Sequence, residues 1–293
     1  MHGRPAAELS ITESLVRALL DDQFPDSRGL PLARVDSGWD NEIFRLGDEF
    51  AVRMPRREIG ANLILKEQRW LPALTGRLPI PVPAPLYAGR PAADYPWHWS
   101  IVPWFEGESA DRARVDSDQV EILAGFLRAL HGEAPADAPV NPLRGVPLVV
   151  QHERTIARMA RLEADTDLVS ASLRRTWERG LAAPAATERR WLHGDLHAQN
   201  VLAGDGIIRA IIDWGDVCAG DVATDLAVAW SLFDDAGDRH RLLSLYAPAQ
   251  HTLDRAKAWA VFFGLVLVDS GLVNSPRHCA QGRDLLRRLS DDI

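Results

Sequence analysis

Acid, amide and imidazole side chains crowd into two segments, Trp191-Leu-His-Gly-Asp-Leu-His-Ala-Gln-Asn200 and Ile211-Ile-Asp-Trp-Gly-Asp216. Asp195 and Asn200 fall on a loop just before a hairpin whose second strand ends at Asp213. Antiparallel strands return the chain to its starting end, so the spacing should set Asn200 and Asp213 facing each other. A carboxylate and an amide oxygen are hard ligands, suited to Mg²⁺ riding on phosphates. Asp195 would look into the same space and could take a proton from an attacking hydroxyl. Phosphoryl transfer asks for little else, since it is mostly positioning and charge neutralisation. A polar turn followed by a strand-end cap is the plainer reading, and the joint occurrence of all three residues weighs against it.

The His193, Asp195 and His197 cluster admits a second chemistry, metal-dependent hydrolysis. No further His or acidic set follows at metal-ligand spacing, which argues against it. His193 reads as structural, its ring bonding backbone near the loop. His197 stands as a candidate catalytic residue, able to point at a γ-phosphate or at solvent.

Periodicity supplies the elements that hold these groups. Thr12 reads as an N-cap, followed by Leu15, Val16, Leu19 and Leu20 on one helical face. Strands are expected at 32–36, 42–46 and 50–54, the last two joined by a Gly47-Asp48 turn. A helix over 59–74 follows, then a proline-rich extended stretch, 79–85, and strands at 86–88 and 99–105. Beyond Gly107 the pattern turns helical: 119–130, 152–162, 168–179, 224–233, 239–246, 253–268 and 283–289. Two short strands, 201–202 and 207–212, interrupt it. The fold class is therefore α+β, with a β-rich N-terminal lobe (1–103) and a mainly helical C-terminal lobe (104–293).

Composition narrows the class. The 293 residues are 46% hydrophobic and 25% charged, enough for an ample core. With 33 Lys plus Arg against 41 Asp plus Glu, the net charge of -8 speaks against a nucleic-acid partner. The small basic group Arg53, Arg56 and Arg57 does not alter that. Only Cys218 and Cys279 occur, in no paired or metal-like spacing, so a reducing, cytoplasmic setting is expected. The N-terminus has no signal-peptide pattern, and the apolar run 258–268 reads as a buried helix too short to span a bilayer. No membrane association is expected.

HGDLHxxN followed by IDWGD closely resembles the aminoglycoside phosphotransferase family, antibiotic kinases of the two-lobed protein-kinase-like fold. Ser37-Gly-Trp-Asp-Asn41 falls where that family has its nucleotide-covering loop, which puts Ser37, Gly38 and Asn41 at the cofactor. Phe50-Ala-Val-Arg-Met-Pro-Arg-Arg57 resembles the strand bearing the phosphate-gripping cation, here Arg53 in place of the usual Lys, in a VRxPRR form similar to macrolide phosphotransferases. Tyr95-Pro-Trp-His-Trp-Ser100 and Trp104-Phe-Glu-Gly107 resemble the strand and hinge along the purine, with Trp104 placed to touch the base. The resemblance implies ATP or GTP with Mg²⁺, Asp195 as catalytic base, Asn200 and Asp213 on the metal, and Glu67 paired with Arg53. It makes Asp221 and Asp225 structural, Asp225 capping backbone amides near the catalytic loop. The implied substrate is a hydroxylated small molecule, an aminoglycoside-type antibiotic first and a macrolide or other metabolite second. A nucleotide-binding protein without catalysis is the alternative of another class. Asp234, Asp235, Asp238, Asp254 and Asp269 could receive ammonium groups of a cationic substrate, or simply be solvated.

Overall fold

Thr12 Oγ1 accepts the Leu15 N–H at 3.2 Å and opens α1 (Glu13–Gln23). Val16, Leu19 and Leu20 form its buried stripe. In the computed structural model, which describes residues 6–92 and 94–293, that stripe lies on a five-stranded antiparallel sheet. The strands are β1 (Leu32–Ser37), β2 (Asn41–Leu46) and β3 (Phe50–Pro55), then, after α2 (Glu58–Thr75), β4 (Tyr87–Gly89) and β5 (Trp99–Pro103). Their order is β1-β2-β3-β5-β4.

Strand alternation sets what each face carries. Phe44, Leu46, Val52, Met54 and Ile101 pack with the α1 stripe in one buried cluster. Arg53, between Val52 and Met54, therefore projects to the opposite face, where it meets Glu67 of α2.

The chain divides into two compact units. The β-rich one runs to Gly76 and includes Pro81–Glu106; the other holds Arg77–Ile80 and Gly107–Ile293. The second unit contains β6 (Glu108–Ser109), α3 (Gln119–Leu130), α4 (His152–Asp165), α5 (Ala171–Ala182) and β7 (Arg190–Leu192). It continues with β8 (Val201–Gly204), β9 (Ile207–Ile211), β10 (Cys218–Gly220), α6 (Ala223–Leu226), α7 (Val228–Leu232), α8 (Ala236–Tyr246), α9 (Gln250–Asn274) and α10 (Pro276–Asp291). β6, β8 and β9 form one small sheet, and β7 pairs with β10 in another.

Several expectations change here. The helix expected over 224–233 is two, α6 and α7, separated at Ala227. β6, β7 and β10 were not foreseen, because two or three residues carry no readable period. The apolar run read as 258–268 belongs to a longer helix, α9, which by length and composition could cross a membrane. Most of that stretch is instead buried against α5, α6 and α10.

Replacing the α1 cap, Thr12→Ala, should lower the unfolding free energy of the β-rich unit by about 1 kcal/mol. A downward shift of the urea midpoint checks this.

Candidate active site

The loop after β7 is held from beneath by one buried carboxylate. Asp225 of α6 accepts the His193 N–H at 2.7 Å and the Gly194 N–H at 2.9 Å. On its other side lies His131 Nε2, 3.3 Å from Asp225 Oδ2, with the Tyr246 hydroxyl 2.8 Å from His131 Nδ1. Gly194 has φ +88, and a Cβ there would lie 2.6 Å from the Asp216 carbonyl, so no side chain fits.

The His193 ring is fully buried and tilted against Trp214. Its Nε2–H donates to the Ile212 carbonyl at 2.9 Å, and its Nδ1 accepts the Asp195 N–H at 3.2 Å. These bonds fix the neutral tautomer and join the loop to the end of β9. Burial lowers the His193 pKa below 6.5, in keeping with an uncharged ring.

Asp195, a quarter exposed at its side chain, accepts from Arg144 Nη2 through Oδ1 at 3.0 Å. His197 Nε2 lies 3.4 Å from Oδ2. His197 Nδ1 accepts the Gln199 N–H, which turns Nε2 toward that carboxylate. Burial works to raise the Asp195 pKa, but the charges of Arg144 and then His197 outweigh it and hold the carboxyl well below the usual range.

Asn200 ends the short turn Ala198–Asn200 and leads into β8. Its Nδ2 donates to the Asp195 carbonyl at 2.9 Å. The Asn200 carbonyl accepts the Ile212 N–H at 2.9 Å, so Asp213 follows at the same end of the hairpin. Asp213 has φ +63, a conformation rare outside glycine and concentrated at functional sites. Among the described residues no cluster of three or more His, Cys, Asp or Glu is arranged to hold a metal ion. An amide oxygen and one carboxylate instead suit a cation completed by phosphate and water, the habit of Mg²⁺.

In the β-rich unit, Arg53 and Glu67 form a buried ion pair. Gly38 N–H donates to the Asn41 carbonyl at 2.8 Å, closing the 37–41 loop, and Ser37 Oγ donates to Glu42 Oε1 at 2.6 Å. Arg56 ties this loop down: its N–H donates to the Asp40 carbonyl at 2.8 Å and its Nη1 to the Gly38 carbonyl at 3.2 Å. Arg57 pairs with Asp40. The Trp104 indole N–H donates to Glu106 at 2.9 Å, and the Arg45 guanidinium lies 4.8 Å from its ring centroid.

A model described as the phosphotransferase enzyme family, APH, matches residues 31–259. The chain belongs to that family. Among solved structures, the GDP complex of wild-type aminoglycoside 2'-phosphotransferase-IIIa is similar with a TM-score of 0.69 and 18% identity, over 97% of this chain and 100% of that one. A streptomycin–ATP ternary complex of APH(2")-IIa gives 0.61 at 17% identity, over 88% and 90%. The apoenzyme of macrolide 2'-phosphotransferase MphH from Brachybacterium faecium gives 0.57 at 21%, over 92% and 97%. At these identities the likeness is one of fold. No curated protein matches the sequence.

In this phosphotransferase, sequence reading missed Arg144, Asn141 and His131. The Asn141-Pro-Leu-Arg-Gly145 run announces a turn, but nothing in it names Asp195 as the partner. Of the acidic residues offered to a cationic substrate, Asp269 is taken by Arg158 and Arg161, and Asp234 by Arg288. Asp254 accepts from Gln250 at 3.0 Å, Asp235 caps α8, and Asp238 accepts from Ser117 at 2.7 Å.

His193 gives a pH signature. Its folded-state pKa lies below 6.5, so the unfolded chain binds its proton more tightly. The associated stability is present above pH 6.5 and is lost as pH falls below it. Denaturation midpoints across that range should fall toward acid, and His193→Gln should flatten the slope.

Proposed function

We propose that this protein transfers the γ-phosphoryl group of ATP or GTP to a hydroxyl of an aminoglycoside-type antibiotic, acting as a soluble cytoplasmic kinase. The reading is carried by one observation: Asp195, Asn200 and Asp213 share one backbone-tied end of the hairpin, in a chain of the phosphotransferase family. Asp195 accepts the proton of the acceptor hydroxyl. The acceptor oxygen forms its bond to the γ-phosphorus as the bond to the bridging oxygen breaks, and nucleoside diphosphate leaves. Asn200 and Asp213 would hold Mg²⁺, which when bound neutralises charge on the phosphates. Arg53, aimed by Glu67, offers a guanidinium fork to phosphate oxygens. Ser37, Gly38 and Asn41 cover the nucleotide, and Trp104 lies along its base. His197 acts beside Asp195.

For the acceptor, the helical unit has a cavity of about 920 Å³ lined by both signs of charge, with Asp235, Asp238 and Asp284 beside Arg112, Arg114 and the paired Arg277 and Arg288. Two of its lining residues, Ala110 and Ser231, hydrogen-bond the backbone of Ala198 in the catalytic loop. A macrolide-like acceptor is the second reading, favoured by exposed Leu143, Val149 and Val150 on the segment around Arg144.

The deciding experiment is nucleoside-diphosphate release with Mg·ATP or Mg·GTP against a panel of aminoglycosides, macrolides and sugars. Turnover of a member is expected; nucleotide binding without any turnover would leave the non-catalytic alternative. Asp195→Ala should lose about 10²-fold or more in kcat with nucleotide affinity retained. Asn200→Ala and Asp213→Ala should weaken Mg·nucleotide binding in calorimetry.

Arg53 separates charge from geometry. Arg53→Lys should keep part of the activity and Arg53→Ala should lose most of it. Arg56 and Arg57 are occupied with the 37–41 loop, so unchanged kinetics in Arg53→Ala would require a different cation on the phosphates.

A further inference from the structure

The Asp195 carboxylate does not set its own direction. Segment 141–145 is tied on both sides of Arg144 to the chain that follows Asp213. Asn141 Oδ1 accepts the Leu143 and Arg144 N–H groups at 2.9 and 3.1 Å, while its Nδ2 donates to Asp216 Oδ1 at 2.7 Å. Gly145 N–H donates to Thr224 Oγ1 at 3.2 Å, and its carbonyl accepts the Asp221 N–H at 3.0 Å. Gly145 has φ +65, and a Cβ would stand 2.6 Å from Leu192 Cδ1, so the chain passes hard against β7. Between these ties the Arg144 guanidinium lies over the Phe263 ring, 4.9 Å from its centroid, and 5.7 Å from that of Phe262. It has little freedom left. Its Nη2 reaches Asp195 Oδ1 at 3.0 Å, and the other oxygen, Oδ2, faces His197.

We propose that Arg144 is a positioning residue for the transfer step: it holds Asp195 Oδ1 so that Oδ2 is the oxygen offered to the acceptor hydroxyl. The proposal rests on the reading of Asp195 as base. A carboxylate turns about its side-chain bonds, and a base must meet the hydroxyl at hydrogen-bond distance and angle. Fixing one oxygen by a charge-assisted bond removes that freedom before the acceptor arrives. Asp216 and Thr224 hold the segment that carries Arg144, through Asn141 and Gly145.

The test is nucleoside-diphosphate release from Mg·ATP and Mg·GTP, measured with kanamycin, gentamicin and streptomycin as acceptors and with water as the only acceptor. Arg144→Met keeps an apolar stem over Phe263 without the charge. It should lower kcat by about 10- to 100-fold with KM for nucleotide changed less than about twofold. Arg144→Lys should recover part of the rate, and guanidinium ion added to Arg144→Ala should restore activity in a saturable way. A purely structural role would not yield to an added ion. If Asp195→Asn is slow while Arg144→Met turns over within about twofold of the parent, the positioning role is overturned and the base reading stands. If Asp195→Asn keeps the parental rate, the base reading falls and this inference with it. Should Arg144→Met fail to unfold cooperatively, the Lys and guanidinium arms decide: no recovery in either overturns the proposal.

Discussion

The Asp225 carboxylate is the constraint on which the loop after β7 depends. It is completely buried, and its oxygens take the N–H groups of two successive residues, His193 and Gly194. A loop bends away from regular pairing only if its backbone donors find partners elsewhere. Here one side chain from α6 provides both, braced by His131 at the end of α3, whose ring is held in turn by Tyr246 of α8. The bend then points Asp195 outward while His193 turns inward and grips Ile212. The 193–200 loop and the β8–β9 hairpin are thus one hydrogen-bonded object.

Charge follows a similar logic of pairing before function. The helical unit looks acidic in sequence, yet many of its carboxylates face arginines: Asp111 with Arg277, Asp221 with Arg255, Asp269 with Arg158 and Arg161, Asp292 with Arg239. Asp221–Arg255 and Asp292–Arg239 are buried on both sides, and removing one partner there leaves a buried charge at a cost of several kcal/mol. The pairing leaves the net charge at -8 but commits those carboxylates to arginines rather than to a ligand.

Most of the fold was legible in the sequence because its long elements carry strong periods. The stripe of α1 with its Thr12 cap, the β2–β3 hairpin and the helices α2 and α3 are local patterns. That Asp195, Asn200 and Asp213 come to one end of a hairpin was legible for a different reason, their spacing along the chain. Arg144 was not, since its meaning lies in a contact 51 residues away. His131 escaped notice likewise, joined to Asp225 across 94 residues. The two-residue β6 and three-residue β7 and β10 exist only through pairing with distant chain, which no local window contains.

Asp213 puts chemistry and backbone comfort in opposition at a single position. Its φ of +63 is one that glycine adopts freely and aspartate holds at a cost of about 1–2 kcal/mol. Aspartate and glycine codons differ by one base. A single mutational step can therefore relax the backbone at the hairpin end and delete the carboxylate together. Keeping aspartate there means keeping a carboxylate at the hairpin end in a backbone conformation that glycine would hold more cheaply.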